Sequence, residues 1–153
     1  VRYFFDTSAL AKRYSPEKGT PHVDAIVMDP DSEIWISELA VLEILSTLSR
    51  KVREGFLKNN DLDLTLMALM VDMATRNFKT LPLSSDVVTG TCMFLLDQGT
   101  KVPLRTLDAL HVQSALTISK TQALDFFVVS DKRLKAAVQA LSSFEILDPE
   151  QIV

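Results

Sequence analysis

The sequence predicts a three-layer α/β/α sandwich with a mainly parallel central sheet. Three observations lead there. Short runs of apolar, aromatic and β-branched residues recur along the chain; stretches of helical period separate them; and the runs are continuous rather than alternating, as strands covered on both faces are. With 153 residues, 47% apolar and 24% charged, the chain matches one domain, 1–153, and no Pro-, Gly- or Ser-rich stretch offers a linker.

Arg2 to Phe5 is a buried-type strand, and Thr7 to Tyr14 is the helix that follows it, with the turn at Asp6. A second helix is expected from Thr20 to Met28. The turn-like Asp29-Pro30-Asp31-Ser32 then introduces a strand from Glu33 to Ile36. Ser37 can cap a long helix from Glu38 to about Arg53, with Leu39, Leu42, Leu45, Leu48 and Val52 as its apolar face. Asn60 with Asp63 resembles a capping pair for a helix whose Leu66, Met67, Leu69, Met70 and Met73 form a broad stripe, suited to core or to a dimer surface. Phe78 to Leu83 is a strand interrupted by Pro82, and Ser84 caps a helix that ends by Gly99. Leu104 to about Ser119 is a helix, Phe126 to Ser130 a strand, Lys132 to Leu141 a helix and Phe144 to Leu147 the last strand.

No apolar run approaches the roughly 20 residues that cross a bilayer, and VRYFF is too short for a signal sequence, so a cytoplasmic protein is expected. Cys92, the single cysteine, supports neither a disulfide nor a Cys-based zinc site and reads as a packed thiol. The net charge of −4 argues against a protein that grips nucleic acid with its whole surface. That objection weakens if four acids are gathered at one place, since the other 16 then balance the 16 basic residues.

In this fold class ligands collect at the carboxyl ends of strands, where Asp6 and Asp131 fall. Glu43 and Asp108 lie on helix faces otherwise built for packing, and an unpaired charge there is costly. Taken singly, each acid has an ordinary explanation in a salt bridge, a helix edge or a cap; Asp6 and Asp131 both precede helices. Together, two strand-end acids and two inward helical acids would repel one another without a cation. Oxygen-only ligands favour Mg²⁺ or Mn²⁺ over zinc, and phosphodiester hydrolysis is the natural chemistry of such a centre. Ser8 and Ser130 can then orient water or a phosphate oxygen.

The segments FFDTSALAKRY, ISELAVLEILSTLSRK, LRTLDALHVQSAL and FVVSDKRL resemble the four blocks of PIN domains, especially those of VapC toxins, in the expected order and across most of the chain. The resemblance implies a Rossmann-like sandwich and a Mg²⁺- or Mn²⁺-dependent endoribonuclease. Its metal-binding acids are then Asp6, Glu43, Asp108 and Asp131, and its hydroxyl positions Ser8 and Ser130. It further implies a homodimer and, for a toxin, a small antitoxin partner. Two departures stand out. Lys132, Arg133, Leu134 and Lys135 follow Asp131 where some relatives carry a further acid, which places a second metal ion in doubt. The chain also opens at Val1 rather than Met, read as a trimmed start.

His111, one turn after Asp108, can be a ligand, a proton carrier or a hydrogen-bonded neighbour, and the neighbour is favoured because one histidine does not define a site. Lys12, Arg13, Arg105, Lys132, Arg133 and Lys135 can each contact phosphate or simply face solvent. Trp35 reads as core or dimer contact. Four scattered glycines form no phosphate loop, and Ser8 stands where an aspartyl-phosphate phosphatase needs its second acid. The competing function is a PIN-like module that binds RNA or protein without cutting.

Overall fold

The computed structural model describes residues 1–151, without the side chain of Asn59; the last two positions of the expected domain lie outside it. Strands β1 (Arg2–Phe5), β2 (Glu33–Ser37), β3 (Phe78–Leu81), β4 (Phe126–Val128) and β5 (Glu145–Leu147) form one sheet in the order β3-β2-β1-β4-β5, with every pairing parallel. Helices α1 (Thr7–Tyr14), α2 (Thr20–Met28), α3 (Glu38–Arg53), α4 (Asn59–Thr75), α5 (Ser85–Gln98), α6 (Thr106–Ser119) and α7 (Lys132–Leu141) complete the described residues.

The pleat of the strands divides the core in two. Phe5, Ile34, Ile36 and Val128 point to a cluster closed by α1 to α4, through residues such as Leu10, Val23, Ile44 and Leu69. Phe4, Phe127 and Val129 point the other way, onto Val112 and Ile118 of α6 and Leu134 and Val138 of α7. Phe4, Phe5 and Phe127 are completely buried, each worth about 2–3 kcal/mol by transfer from water. Here the expected sandwich and its parallel sheet are observed, and no helix among the described residues is long and apolar enough to cross a membrane.

Local differences have physical reasons. The buried face of α3 is Leu39, Ala40, Ile44 and Leu48, while Leu42 is 59% exposed. A strict three-residue step drifts around a helix of 3.6 residues per turn, so the expected stripe leaves the core. The cap of helix α4 falls two residues before the expected Asn60: Lys58 is the cap position, and the Asp61 carboxylate accepts from the Lys58 backbone N–H at 3.4 Å. Its stripe splits, with Leu69 buried and Met67 and Met70 more than 60% exposed. Cys92 is exposed on α5, because that helix turns Val87 and Thr91 inward instead. Strand β3 stops before Pro82, which has no N–H for a ladder.

Arg13, a candidate phosphate contact by sequence, is consumed by the fold. Its guanidinium donates to both oxygens of Asp72 at 2.5 and 2.9 Å and to Asp24 at 2.7 Å, while the Tyr14 hydroxyl donates to Asp72 at 3.0 Å. This knot joins α1, α2 and α4. Burial alone would raise the Asp72 carboxyl, but the hydrogen bonds and charge of Arg13 outweigh it and hold the group below the ordinary range.

Asp72→Ala should therefore destabilise the protein by about 3 kcal/mol in urea unfolding, since it strands a mostly buried guanidinium. A carboxyl whose folded pKa is depressed stabilises fully above its unfolded value and loses that contribution as pH falls through the folded one. The gap in urea midpoint between wild type and Asp72→Asn should accordingly narrow below about pH 4. An unchanged gap would mean that Asp72 does not titrate with folding.

Candidate active site

The chain runs outward from β1 to β2 and β3, then returns to the opposite side of β1 to form β4 and β5. The point of reversal lies between β1 and β4, where the loops beyond the two strand ends diverge and leave a crevice. Asp6 directly follows β1, and its backbone N–H donates to Val128 at the end of β4 at 2.9 Å. Asp131 lies three residues beyond that end.

Both strand-end acids are also helix caps. Asp6 Oδ2 accepts from the Ser8 N–H at 2.9 Å, and Asp131 Oδ1 accepts from Arg133 and Leu134 at 2.8 and 2.9 Å. Capping fixes each rotamer and occupies one oxygen, so the ordinary explanation of these residues and the chemical one coexist. The Ser8 Oγ accepts from the backbone N–H groups of Ser130 at 3.1 Å and Asp131 at 3.0 Å. Ser8 thus ties the loop after β1 to the loop after β4. The Ser130 Oγ is buried with no partner among the described residues.

Helices α3 and α6 supply the other wall. Glu43 Oε2 accepts from the Thr7 hydroxyl at 2.5 Å and from His111 Nε2 at 2.6 Å, and His111 Nε2 lies 3.8 Å from Asp6 Oδ1. A carboxylate can only accept, so the proton is on Nε2 of His111. Asp108 is half-buried in the first turn of α6. Asp6, Glu43, Asp108, Asp131, Ser8 and Ser130 all line one cleft of about 440 Å³, and the exposed Asp131 marks its mouth. His111, Lys12, Arg50 and Lys51 line it as well. Arg105, Lys132, Arg133 and Lys135 do not; Lys135 pairs with Asp148 at 3.0 Å.

The electrostatics follow from crowding. Burial raises the Asp6 carboxyl, the charge of His111 and the bonds from Ser8 oppose that, and Glu43 adds to it. Burial also raises Asp108, reinforced by repulsion from Asp6 and Asp131. Glu43 goes the other way: burial would raise it, but the bonds from His111 and Thr7 hold it low. For His111 burial favours the neutral ring, yet the Glu43 bond and the charges of Asp6, Glu43 and Asp108 prevail and raise it. The neighbour role expected for His111 matches its geometry.

Among the described residues, no three His, Cys, Asp or Glu side chains are arranged to hold one metal ion. The acids instead stand around an open cleft. Such an arrangement resembles the needs of Mg²⁺, which keeps several waters and takes one or two carboxylates, more than a closed zinc cage.

Sequence reasoning passed over Thr7, Thr47, Arg50 and Lys51. A signal was present for two of them, because Glu43, Thr47 and Arg50 are spaced four and three residues apart and share a helix face. Thr7 sits beside Asp6 and becomes visible only when α3 is known to pass over it.

Two outcomes follow from this geometry. Ser8→Ala leaves two backbone N–H groups without their acceptor and should destabilise the fold by between about 1 and 3 kcal/mol, read from urea midpoints. In chelator, the His111 ring should titrate above the ordinary value of about 6.5 when followed by NMR. A group with a raised folded pKa stabilises fully below its unfolded value and loses that contribution as pH rises through the folded one. Wild type should therefore lose stability on that alkaline limb, and His111→Gln should lack it.

A comparison with curated proteins finds no match. Among solved structures, the fold is similar to VapBC2 from Rickettsia felis bound to a promoter DNA fragment, with a TM-score of 0.64 at 11% identity, covering 97% of this chain and 98% of that one. It is similar to PAE2754 from Pyrobaculum aerophilum, with a TM-score of 0.64 at 21% identity over 98% and 90% of the two chains. A toxin–antitoxin complex from Klebsiella pneumoniae gives 0.62 at 16% identity over 98% and 99%. At such identities these likenesses establish the fold. The sequence itself matches the family model of the PIN domain over residues 3–140, and the chain belongs to the PIN domain family.

Proposed function

We propose that this chain is a VapC-like endoribonuclease, hydrolysing RNA phosphodiester bonds with Mg²⁺ or Mn²⁺ held among Asp6, Glu43, Asp108 and Asp131. The observation that carries this reading is the meeting of four acids in one cleft at the reversal point of the sheet, with Asp108 raised by burial and further by repulsion from Asp6 and Asp131. Carboxylates that repel one another beside water form a donor set that suits a hard divalent cation.

When bound, such a cation lowers the pKa of the attacking water and offsets charge on the leaving oxygen. The chain's own groups do the positioning. The cap bonds of Asp6 and Asp131 hold one oxygen of each in place. Thr7 and His111 Nε2 keep Glu43 ionised. Ser8 sets the spacing between the two loops through its bonds to Ser130 and Asp131, and the Ser130 hydroxyl is available to hold water or a phosphate oxygen.

The same reading makes the chain a cytoplasmic toxin that forms a homodimer and is held by a small antitoxin protein. The toxin–antitoxin complex among the structures of similar fold supports the last of these. The exposed Leu64, Met67 and Met70 of α4 and Met93 and Leu96 of α5 are apolar surface of the kind that subunit contacts use.

Purified protein with mixed RNAs and Mn²⁺ should yield fragments that disappear in Asp6→Asn and Asp108→Asn. Without metal, Asp108→Asn should melt at or above the wild-type temperature, because it removes like-charge repulsion. Mn²⁺ should raise the melting temperature of wild type and not of Asp108→Asn. RNA retained without fragments would replace this proposal with a binding module.

A further inference from the structure

We infer that Arg50 and Lys51 form a phosphate subsite that holds the RNA backbone at a fixed distance from the acids, with α3 as the rail between the two. The inference deepens the nuclease reading above and rests on it.

Glu43, Thr47 and Arg50 follow one face of α3, and all three line the cleft together with Lys51. Seven residues of helix set the Cα positions of Glu43 and Arg50 about 10 Å apart along the axis. The cleft therefore carries the four acids at the strand termini and Arg50 with Lys51 at the close of α3, while Glu17 and Glu150, which also line it, are taken up by Lys12.

The state of the surrounding cations singles out this pair. Lys12 is 3% exposed and already bound to Glu17 at 3.0 Å and Glu150 at 2.6 Å. Arg13 belongs to Asp72 and Asp24, and Lys135 to Asp148. Arg50 and Lys51 have no carboxylate partner among the described residues; the Lys51 ammonium meets only the neutral Ser15 hydroxyl. In a chain of net charge −4, uncompensated cations inside a cleft suit a ligand with one charge per nucleotide. Thr47 and Ser15 add hydroxyl donors beside them.

The ends of helices attract basic residues for another reason, since the last turn carries partial negative charge. That preference explains Arg53 equally well, and Arg53 does not line the cleft. It provides the control.

Cleavage of a short mixed-sequence single-stranded RNA in Mn²⁺ is measured for wild type, Arg50→Ala, Lys51→Ala, the double variant and Arg53→Ala, over a range of salt. The double variant should raise KM roughly tenfold with little change in kcat, and should flatten the salt dependence of log(1/KM) by about 0.7 per lost phosphate contact. Arg50→Lys and Lys51→Arg should restore most of both. Melting temperatures in chelator confirm that each variant is folded. Unchanged KM and salt slope in the double variant, or an equal effect from Arg53→Ala, would overturn the subsite and leave the nuclease reading intact. Failure of wild type to cut any RNA would end both.

Discussion

Asp6 is only 4% exposed, although it stands close enough to Glu43 and Asp108 for the charges to repel. Bringing like charges together out of water is unfavourable, and the surrounding structure is arranged to meet that cost. His111 donates from Nε2 to Glu43 and lies 3.8 Å from Asp6, and their charges favour its protonated form. Backbone N–H groups at two helix starts take one oxygen from each strand-end acid. Asp108 is less well compensated: burial and the charges of Asp6 and Asp131 raise its carboxyl, and only Arg105 opposes them. The ordering of the cleft follows from how each acid is, or is not, compensated.

The sheet makes this possible. A reversal of strand order beside β1 opens a gap that no side chain of the sheet fills. The parallel pairing brings Asp6 and Asp131 to the same carboxyl end of the sheet. The Ser8 hydroxyl then does for the two loops what a ladder hydrogen bond does for two strands. Helices α3 and α6 enter from the opposite core clusters, so Glu43 and His111 meet across the gap rather than along one element.

Much of this was legible in the residues. Continuous apolar runs such as FFVV announce strands covered on both faces, and turn chemistry placed most helix starts within two residues. Acids in positions that packing would otherwise fill pointed to the cleft, because burying charge is expensive enough to leave a mark on sequence. What stayed hidden depended on tertiary contact. The inward face of α3 is decided by which neighbour it meets, so Leu42 fell on the wrong side. Cys92 looked buried because its neighbours are apolar, yet the rotation of α5 is set by Val87 and Thr91. Arg13 and Lys12 resembled phosphate contacts, whereas each has, besides a nearby partner, a carboxylate 59 or 138 positions away in the chain. No local pattern contains such distances.

The two margins of the sheet have a further meaning. Strand β3 spans four residues and β5 only three, and each shows solvent a charged side chain, Lys79 on one and Glu145 on the other. Margins this short and this polar resist templated growth by addition of another extended chain. Self-association through a continuing sheet is thus disfavoured by the borders themselves.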